Sequence, residues 1–212
     1  MLYIRQTVFL IEAIMNNPRF EQQLNFILEI DKLKHIIRKS FLMDGETLED
    51  DAQHSWHIAT AAIILVEYAN NPNLDLLKCL KMLVIHDVVG IDAGDVFAYA
   101  EDQHPDKFEK ELKAAERIFG LLPEPLNNEL KELWIEFEES KTYEAQFAHT
   151  VDSFLPILLN FNTKGKQWRK YNVTPEMVLK RNRFIKNGSE QIWNFIVETV
   201  KKGEELGYFN KN

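Results

Sequence analysis

The sequence predicts an all-α protein that folds as a single domain. Apolar residues recur at the period of about 3.6 residues that marks an amphipathic helix, and they do so along most of the chain. No stretch alternates apolar and polar residues over a convincing strand length, and neither an internal repeat nor a low-complexity linker divides the sequence. A chain of 212 residues suits one large core, so we assign residues 1–212 to one domain.

The first half of the chain predicts four helices. Asp50 and Asp51 open the second helix, where negative charge faces the positive end of the helix dipole, and Pro72 ends it. The third helix is short and apolar and ends near His86, and Gly120 ends the fourth. The four predicted spans are 20–40, 50–72, 74–87 and 105–120.

The second half predicts four more helices. The seventh has the clearest boundaries, because Thr174 suits the N-cap, Pro175 suits the first helical position and Gly188 suits the stop. The final helix follows that glycine directly. The four predicted spans are 125–140, 142–160, 172–188 and 189–207.

Composition and charge exclude several classes of function. A formal net charge of −8 argues against a nucleic-acid partner, because phosphate backbones need a basic face, although it leaves room for a small phosphorylated ligand held by a metal and one or two cations. No run approaches the roughly 20 apolar residues of a membrane span. The single cysteine, Cys79, has the spacing of a core residue and predicts a buried structural thiol. We expect a cytoplasmic protein without a disulfide.

Three of the predicted helices carry histidine or aspartate in apolar surroundings. Divalent metals bind neutral imidazole nitrogen and carboxylate oxygen, presented from several elements so that the geometry is fixed. A lone carboxylate among apolar neighbours would be costly to bury without such a partner. The candidate ligands are His54 in the second helix, His86 and Asp87 at the end of the third, and Asp152 in the sixth.

Spacing alone leaves alternatives open at these positions. His57 lies three residues after His54, and His149 lies three residues before Asp152, so either could share a helix face with the candidate ligand. A buried histidine is also often a hydrogen-bonded core residue, and an aspartate at a helix end is often a cap.

The order of these motifs resembles the HD-domain superfamily of metal-dependent phosphohydrolases. The segments "AQHSWHIA", "LKMLVIHDVVGIDAGDVFAY" and "VDSFLPILLNF" are similar to the branch that contains the bacterial 5′-deoxynucleotidases. The resemblance covers roughly residues 25–195. It implies an HD-type helical bundle with one divalent metal ion, which could be Mn, Co, Mg, Zn or Fe.

The resemblance also implies roles for individual residues. Arg38, expected at the end of the helix before the first histidine, matches an arginine that family members direct at the substrate phosphate, although a cation at a helix C-terminus is the competing interpretation. Asp95 matches an acidic residue of the family's active site, where it could position the water or the sugar. The residues that match the four metal ligands are His54, His86, Asp87 and Asp152.

The chain departs from the family pattern at four positions around this site. The family has Glu three residues after the HD aspartate, where it orients or activates water, and Gly90 cannot do either. Three further replacements are Gln53 for a glutamate, Thr47 for an arginine and Ser153 for a basic residue. The acids that could take over the role of the missing glutamate are Glu49, Asp92 and Asp95.

Two functions follow as hypotheses. The first is a metal-dependent phosphohydrolase that converts (deoxy)nucleoside 5′-monophosphates to nucleoside and phosphate. The alternative is a degenerate HD domain that binds metal or nucleotide with little or no turnover, because Gly90 replaces the glutamate. Alarmone hydrolysis is disfavoured, because it uses "HDxxED" and this chain has Gly90-Ile91 there. The resemblance also implies a homodimer.

Overall fold

The computed structural model of the chain describes residues 17–94, 99 and 106–210 and confirms the all-α fold class. Asp95 lies outside the described residues. Short 3-10 turns at Asp31–His35, Val66–Tyr68 and His86–Val89 join some of the elements. The helices are α1 (Pro18–Ile30), α2 (Asp51–Leu65), α3 (Leu76–Ile85), α4 (Gly90–Ala93), α5 (Lys107–Phe119), α6 (Leu126–Glu139), α7 (Tyr143–Asn162), α8 (Lys166–Lys170), α9 (Pro175–Arg181), α10 (Ile185–Gly188) and α11 (Glu190–Glu205).

The region between α1 and α2 corrects two predictions. The helix expected to run to residue 40 ends at Ile30, and an antiparallel hairpin of β1 (Ile37–Phe41) and β2 (Leu48–Asp50) follows. The turn between the strands is stabilised by Asp44, whose carboxylate accepts hydrogen bonds from the backbone N–H groups of residues 46 and 47 at 2.8 and 2.9 Å. Arg38 therefore lies on a strand, not at a helix end.

Helix α7 is the central element of the bundle. It packs against α2, α3, α6, α10 and α11, so its side chains reach both parts of the core. The larger part surrounds Met82, Trp134 and Phe147, and the smaller part surrounds Trp168 and Ile196. This arrangement brings the middle of α7 next to the ends of α2 and α3.

The predicted structural thiol is confirmed as a core residue. Cys79 is fully buried in α3, and burial raises the pKa of its thiol to about 12. A thiol with such a high pKa is a poor nucleophile near neutral pH.

The seventh predicted helix is divided into α9 and α10. Its start is as expected, because Thr174 accepts a hydrogen bond from the Met177 N–H at 3.2 Å. The division begins at Asn182, whose side-chain amide donates to the Val178 carbonyl at 2.8 Å. Such side-chain bonds compete with the backbone hydrogen bonds of the helix.

Among the described residues, no helix has both the length and the apolar character needed to cross a membrane.

Two glycines with positive φ make a matched test of how α8 and the C-terminal segment pack. Gly165 (φ +70°) would place a Cβ 1.9 Å from the Tyr208 carbonyl oxygen, whereas a Cβ at Gly207 (φ +73°) would meet no described atom within 4 Å. We expect Gly207→Ala to cost about 1–2 kcal/mol of unfolding free energy for its left-handed conformation. Gly165→Ala should cost at least about 3 kcal/mol, because the backbone must also move. Urea denaturation of both variants measures this, and equal losses would contradict the close approach.

Candidate metal centre

Four side chains from three parts of the bundle meet at one point. His54, one turn into α2, is fully buried, and His86 begins the 3-10 turn that follows α3. Asp87 is the next residue of that turn, and Asp152 projects from the middle of α7. The structure therefore brings together all four residues that sequence reasoning selected as ligands.

The atoms that could bind a metal are close to one another. His54 Nε2 lies 2.9 Å from Asp152 Oδ1, and His86 Nε2 lies 3.7 Å from that same oxygen. His86 Nε2 also lies 3.1 Å from Asp87 Oδ2. Potential ligand atoms of His54, His86 and Asp87 all fall within 4.8 Å of one another.

The backbone orients the His86 ring toward this cluster. Its Nδ1 lies 2.9 Å from the Leu83 carbonyl oxygen, to which it can donate a hydrogen bond, and this places Nε2 on the opposite side. The Trp134 indole N–H donates to the His86 carbonyl at 3.2 Å, and this bond stabilises the 3-10 turn that carries His86. His86 Nε2 is buried and makes no well-aligned hydrogen bond among the described residues, and its near neighbours are the carboxylates of Asp87 and Asp152. A buried nitrogen in this state is suited to bind a metal.

The donor set fits a divalent ion. Two imidazole nitrogens and two carboxylate oxygens are ligands that Mn, Co, Zn and Fe accept. Bonds of about 2.0–2.2 Å to one ion place neighbouring ligand atoms about 3–3.5 Å apart. The contacts of 2.9, 3.1 and 3.7 Å are close to that spacing. Asp152 is not in the group of atoms that all lie within 4.8 Å of one another, so Asp87 and Asp152 would have to approach each other to share an ion.

Glu49 orients His54 from behind. Its side chain is 1% exposed, and its Oε2 lies 3.3 Å from His54 Nδ1, the ring nitrogen opposite the cluster. A carboxylate in this place fixes the ring and makes the binding nitrogen more basic. Sequence reasoning had selected Glu49 as a substitute for the missing glutamate, and the structure instead places it against this histidine.

Arg38 lies beside the cluster on β1. Its Nη1 donates to Asp87 Oδ2 at 2.6 Å and to Asp51 Oδ1 at 3.0 Å. Its Nε lies 3.7 Å from Glu49 Oε2. The guanidinium group therefore lies next to a candidate ligand, where it can also meet a bound phosphate; its role at the substrate stays a prediction.

The other histidines near the candidates lie outside the cluster. His149 stacks on Phe137 with ring centroids 3.9 Å apart, and its Nε2 lies 2.8 Å from the Phe137 carbonyl oxygen. Burial lowers the pKa of His149. His57 stacks on Trp56 at 5.8 Å between ring centroids. Neither belongs to the group of close ligand atoms found among the described residues.

The cluster lies at one wall of a large cavity. This cavity has a volume of about 620 Å³, which is within the range of small-molecule sites. Sequence reasoning missed Asp51 as a wall residue, because its place in an acidic pair indicated a helix start. The charged side chains that line it are Arg38, Lys39, Asp51, His86, Asp87, Lys107, Glu111, Glu138, Asp152 and Arg181.

Asp92 has a different environment. Both its carboxylate oxygens bond to Arg117, one of them at 2.8 Å, and Arg117 also bonds to Glu29 at 2.8 Å. Asp92 is not among the residues that line the cavity. We therefore assign it no role at the site.

Comparison with known proteins identifies the family of the chain. The HD-domain family model matches residues 30–193, which is most of the chain. The chain belongs to the HD-domain family. Its structure is similar to that of a predicted metal-dependent phosphohydrolase from Magnetospirillum magnetotacticum, with a TM-score of 0.86 and 42% identity over 91% of this chain and 96% of that one.

The curated relatives of this HD-domain chain are named 5′-deoxynucleotidases. A 5′-deoxynucleotidase HDDC2 from Mus musculus is 28% identical over 136 residues, which span 64% of this chain and 66% of that protein. A 5′-deoxynucleotidase hdd1 from Schizosaccharomyces pombe is 30% identical over 158 residues, 72% of this chain and 77% of that protein. The matched region thus spans about two thirds of the mouse protein's length.

Two departures from the HD-domain pattern have local structural explanations. Gln53 closes a capping box with Asp50: its N–H donates to Asp50 Oδ1 at 2.8 Å, and its side-chain oxygen accepts from the Asp50 N–H at 3.2 Å. Thr47 bonds to Asp44 through its hydroxyl at 2.6 Å within the hairpin turn. Both residues thus have hydrogen-bond partners close by in the sequence.

Burial and charge set the protonation of this HD-domain site. Burial alone would favour neutral His86, but the carboxylates of Asp87 and Asp152 outweigh it and raise its pKa to about 9. Burial would raise the pKa of Asp87, but His86 and Arg38 hold it well below its usual range. The pKa of Asp152 is lowered despite burial, chiefly by His54 and His86. The metal-free site therefore holds a protonated His86 near neutral pH.

The contact between Glu49 and His54 generates one prediction. Glu49→Gln should weaken Mn²⁺ binding about 10- to 100-fold, because the ring loses its charged partner while all four ligands remain. Isothermal titration calorimetry on the metal-stripped protein measures the change. Glu111→Gln is the matched control, since Glu111 is also buried in the cavity wall but pairs with Lys107. Equal Mn²⁺ affinity in the two variants would contradict the orienting role.

The raised pKa of His86 generates a second prediction. A metal needs the neutral ring, so binding must displace a proton, and Mn²⁺ affinity should rise up to about tenfold per pH unit between pH 6.5 and 8.5. In the metal-free protein, the stabilisation from protonated His86 is fully present below about pH 6.5 and is lost as the pH rises through about 9. Titrations in buffers of different ionisation enthalpy count the released protons. His149→Gln should behave like the parent, and an affinity that does not change with pH would contradict the prediction.

Proposed function

We propose that the protein is a metal-dependent phosphohydrolase that converts a (deoxy)nucleoside 5′-monophosphate to nucleoside and phosphate. The observation that carries this proposal is the meeting of His54, His86, Asp87 and Asp152 at the wall of a cavity of about 620 Å³, with Arg38 beside them. The names of the mouse and fission-yeast relatives support the substrate class.

The residues of the cavity suit a phosphomonoester. A divalent ion held by the four ligands would supply Lewis acidity and lower the pKa of water. Arg38 places a positive charge beside the candidate ligands, where it can attract a phosphate oxygen while its Nη1 bonds to Asp51 and Asp87. Lys39 and Lys107 line the same cavity and add positive charge. Electrostatic stabilisation of the phosphoryl group provides most of the rate in such reactions.

Glu138 is the candidate proton donor in this cavity. Burial, together with the nearby carboxylate of Glu111, raises its pKa to about 7. A carboxyl group with such a pKa is partly protonated at neutral pH. Glu138 also lines the cavity that the candidate ligands border, so we propose it as the group that protonates the departing 5′ oxygen.

The alternative is an HD domain that binds metal and nucleotide without turnover. The observation in its favour is Gly90, which offers no side chain where the family places glutamate. The fold and the ligand cluster are the same under both proposals, so turnover by metal-loaded protein distinguishes them. The homodimer inferred from the resemblance also stays a prediction, and sedimentation equilibrium tests it.

Release of inorganic phosphate is the decisive assay. The metal-stripped protein is tested on ribo- and deoxyribonucleoside 5′-monophosphates, alone and with added Mn²⁺, Co²⁺, Mg²⁺ or Zn²⁺. We expect metal-dependent release that falls by at least about 10³-fold in Asp87→Ala, because that variant removes both a ligand and the partner of Arg38. Release that persists in Asp87→Ala would indicate a contaminating phosphatase. No release from protein shown to hold its metal would favour the binding-only alternative.

A further inference from the structure

We infer that Asp51 supplies the carboxylate that Gly90 lacks. Asp51 projects from the first turn of α2 into the cavity and is the proton acceptor for the water that attacks the phosphomonoester. This inference rests on the proposed phosphohydrolase function and names a catalytic residue for it.

Asp51 is held next to the metal ligands by one nitrogen of Arg38. Its side chain is 1% exposed, and its Oδ1 accepts from Arg38 Nη1 at 3.0 Å. The same nitrogen donates to Asp87 Oδ2 at 2.6 Å. A single guanidinium nitrogen thus separates the Asp51 carboxylate from a candidate ligand, and both carboxylates line the cavity.

The second oxygen of Asp51 points to position 90. An ideal Cβ built on Gly90 would lie 3.2 Å from Asp51 Oδ2, closer than an ordinary van der Waals contact, with Ile36 the next neighbour at 4.0 Å. Gly90 has φ −59° and ψ −21°, an ordinary helical conformation that any residue can adopt. The backbone therefore gives no reason for glycine here, whereas the Asp51 carboxylate does, because it extends toward the space that a side chain would begin to fill.

The other described acids proposed as substitutes for the missing glutamate are directed elsewhere. Glu49 faces the ring of His54, at 3.3 Å from its Nδ1. Asp92 is paired with Arg117 outside the cavity. Asp51 is the acid that the structure places at position 90 and at the cavity wall together.

The proposed step balances without any further reactant. The oxygen of water forms a bond to phosphorus while the bond between phosphorus and the ester oxygen breaks, and Asp51 takes one proton of the water. With an alkyl ester, the departing oxygen receives a proton from the cavity or solvent, and Asp51 later returns its proton to solvent. The net products are an alcohol and inorganic phosphate, and Asp51 is ready for another cycle.

The main variant is Asp51→Asn, assayed with p-nitrophenyl phosphate. This substrate has a leaving group that departs without protonation, so the assay isolates the role of the proton acceptor. An asparagine keeps an oxygen for Arg38 but cannot accept the proton. We expect kcat to fall about 10²–10³-fold in Asp51→Asn, while KM and the Kd values for Mn²⁺ and inorganic phosphate stay within about threefold. Asp92→Asn, another arginine-paired aspartate, is the matched control and should keep the parent kcat.

A rescue variant keeps the inference testable if Asp51→Asn is destabilised. Gly90→Glu returns a carboxylate to the position that the family uses. The kcat of Asp51→Asn/Gly90→Glu should be at least about tenfold higher than that of Asp51→Asn. Gly90→Glu alone should show no gain, because a proton acceptor is already present and its charge would repel a second carboxylate. Circular dichroism and thermal unfolding compare the fold of each variant.

The outcomes of these experiments distinguish a failure of this inference from a failure of the proposed function. A kcat of Asp51→Asn within about threefold of the parent, or a gain of at least about tenfold in Gly90→Glu alone, would overturn the role of Asp51 and leave the phosphohydrolase standing. Weaker phosphate binding with unchanged kcat would show that Asp51 merely positions Arg38. Turnover of p-nitrophenyl phosphate that depends on Asp51, without turnover of nucleotides, would overturn the nucleotide substrate alone. No turnover of either by metal-loaded protein would overturn both.

Discussion

The burial of charge around His54, His86, Asp87 and Asp152 is the constraint on which the rest of the structure depends. Removing a charged group from water costs far more than any single apolar contact returns, unless partners surround it. Here each carboxylate has an imidazole or guanidinium group within about 4 Å. The ends of α2 and α3 must therefore approach the middle of α7 closely, and the larger apolar core holds them in that position.

The balance of charge in this region favours a cation. Four carboxylates, from Glu49, Asp51, Asp87 and Asp152, surround the guanidinium group of Arg38 and the rings of His54 and His86. This excess of negative charge raises the pKa of His86 to about 9, although burial acts in the opposite direction. A divalent ion that displaces the proton of His86 would satisfy the carboxylates and the two imidazoles together. The site is thus arranged for an ion more than for a network of neutral hydrogen bonds.

The sequence predicted the parts of the site that depend on long, regular elements. His54 and Asp152 lie on helices whose caps and periodicity are visible in the sequence, and the His86-Asp87 pair marks the end of a third. The hairpin was missed, because strands of five and three residues leave too short an alternating pattern to be distinguished from a helix end. That error placed Arg38 on the wrong element.

The position of Asp51 could not be predicted for a different physical reason. Its contacts with Arg38 and with the space at Gly90 join residues 13 and 39 positions apart, and they depend on how the hairpin lies against α2 and the turn after α3. Local sequence explains why an acid opens α2, since it faces the positive end of the helix dipole. It does not show that the carboxylate also reaches a cavity.

The departures from the family pattern affect parts of the site that are physically separable from the ligands. Holding an ion requires that α2, α7 and the turn after α3 converge, and all four candidate ligands are present on these elements. Gln53 preserves the cap of α2 with an amide oxygen in place of a carboxylate. Accepting a proton requires one carboxylate within reach of the water. Any helix, strand or turn can carry that carboxylate. A site can therefore lose a glutamate at position 90 and keep its frame, provided that another acid enters the same space, as Asp51 does from α2.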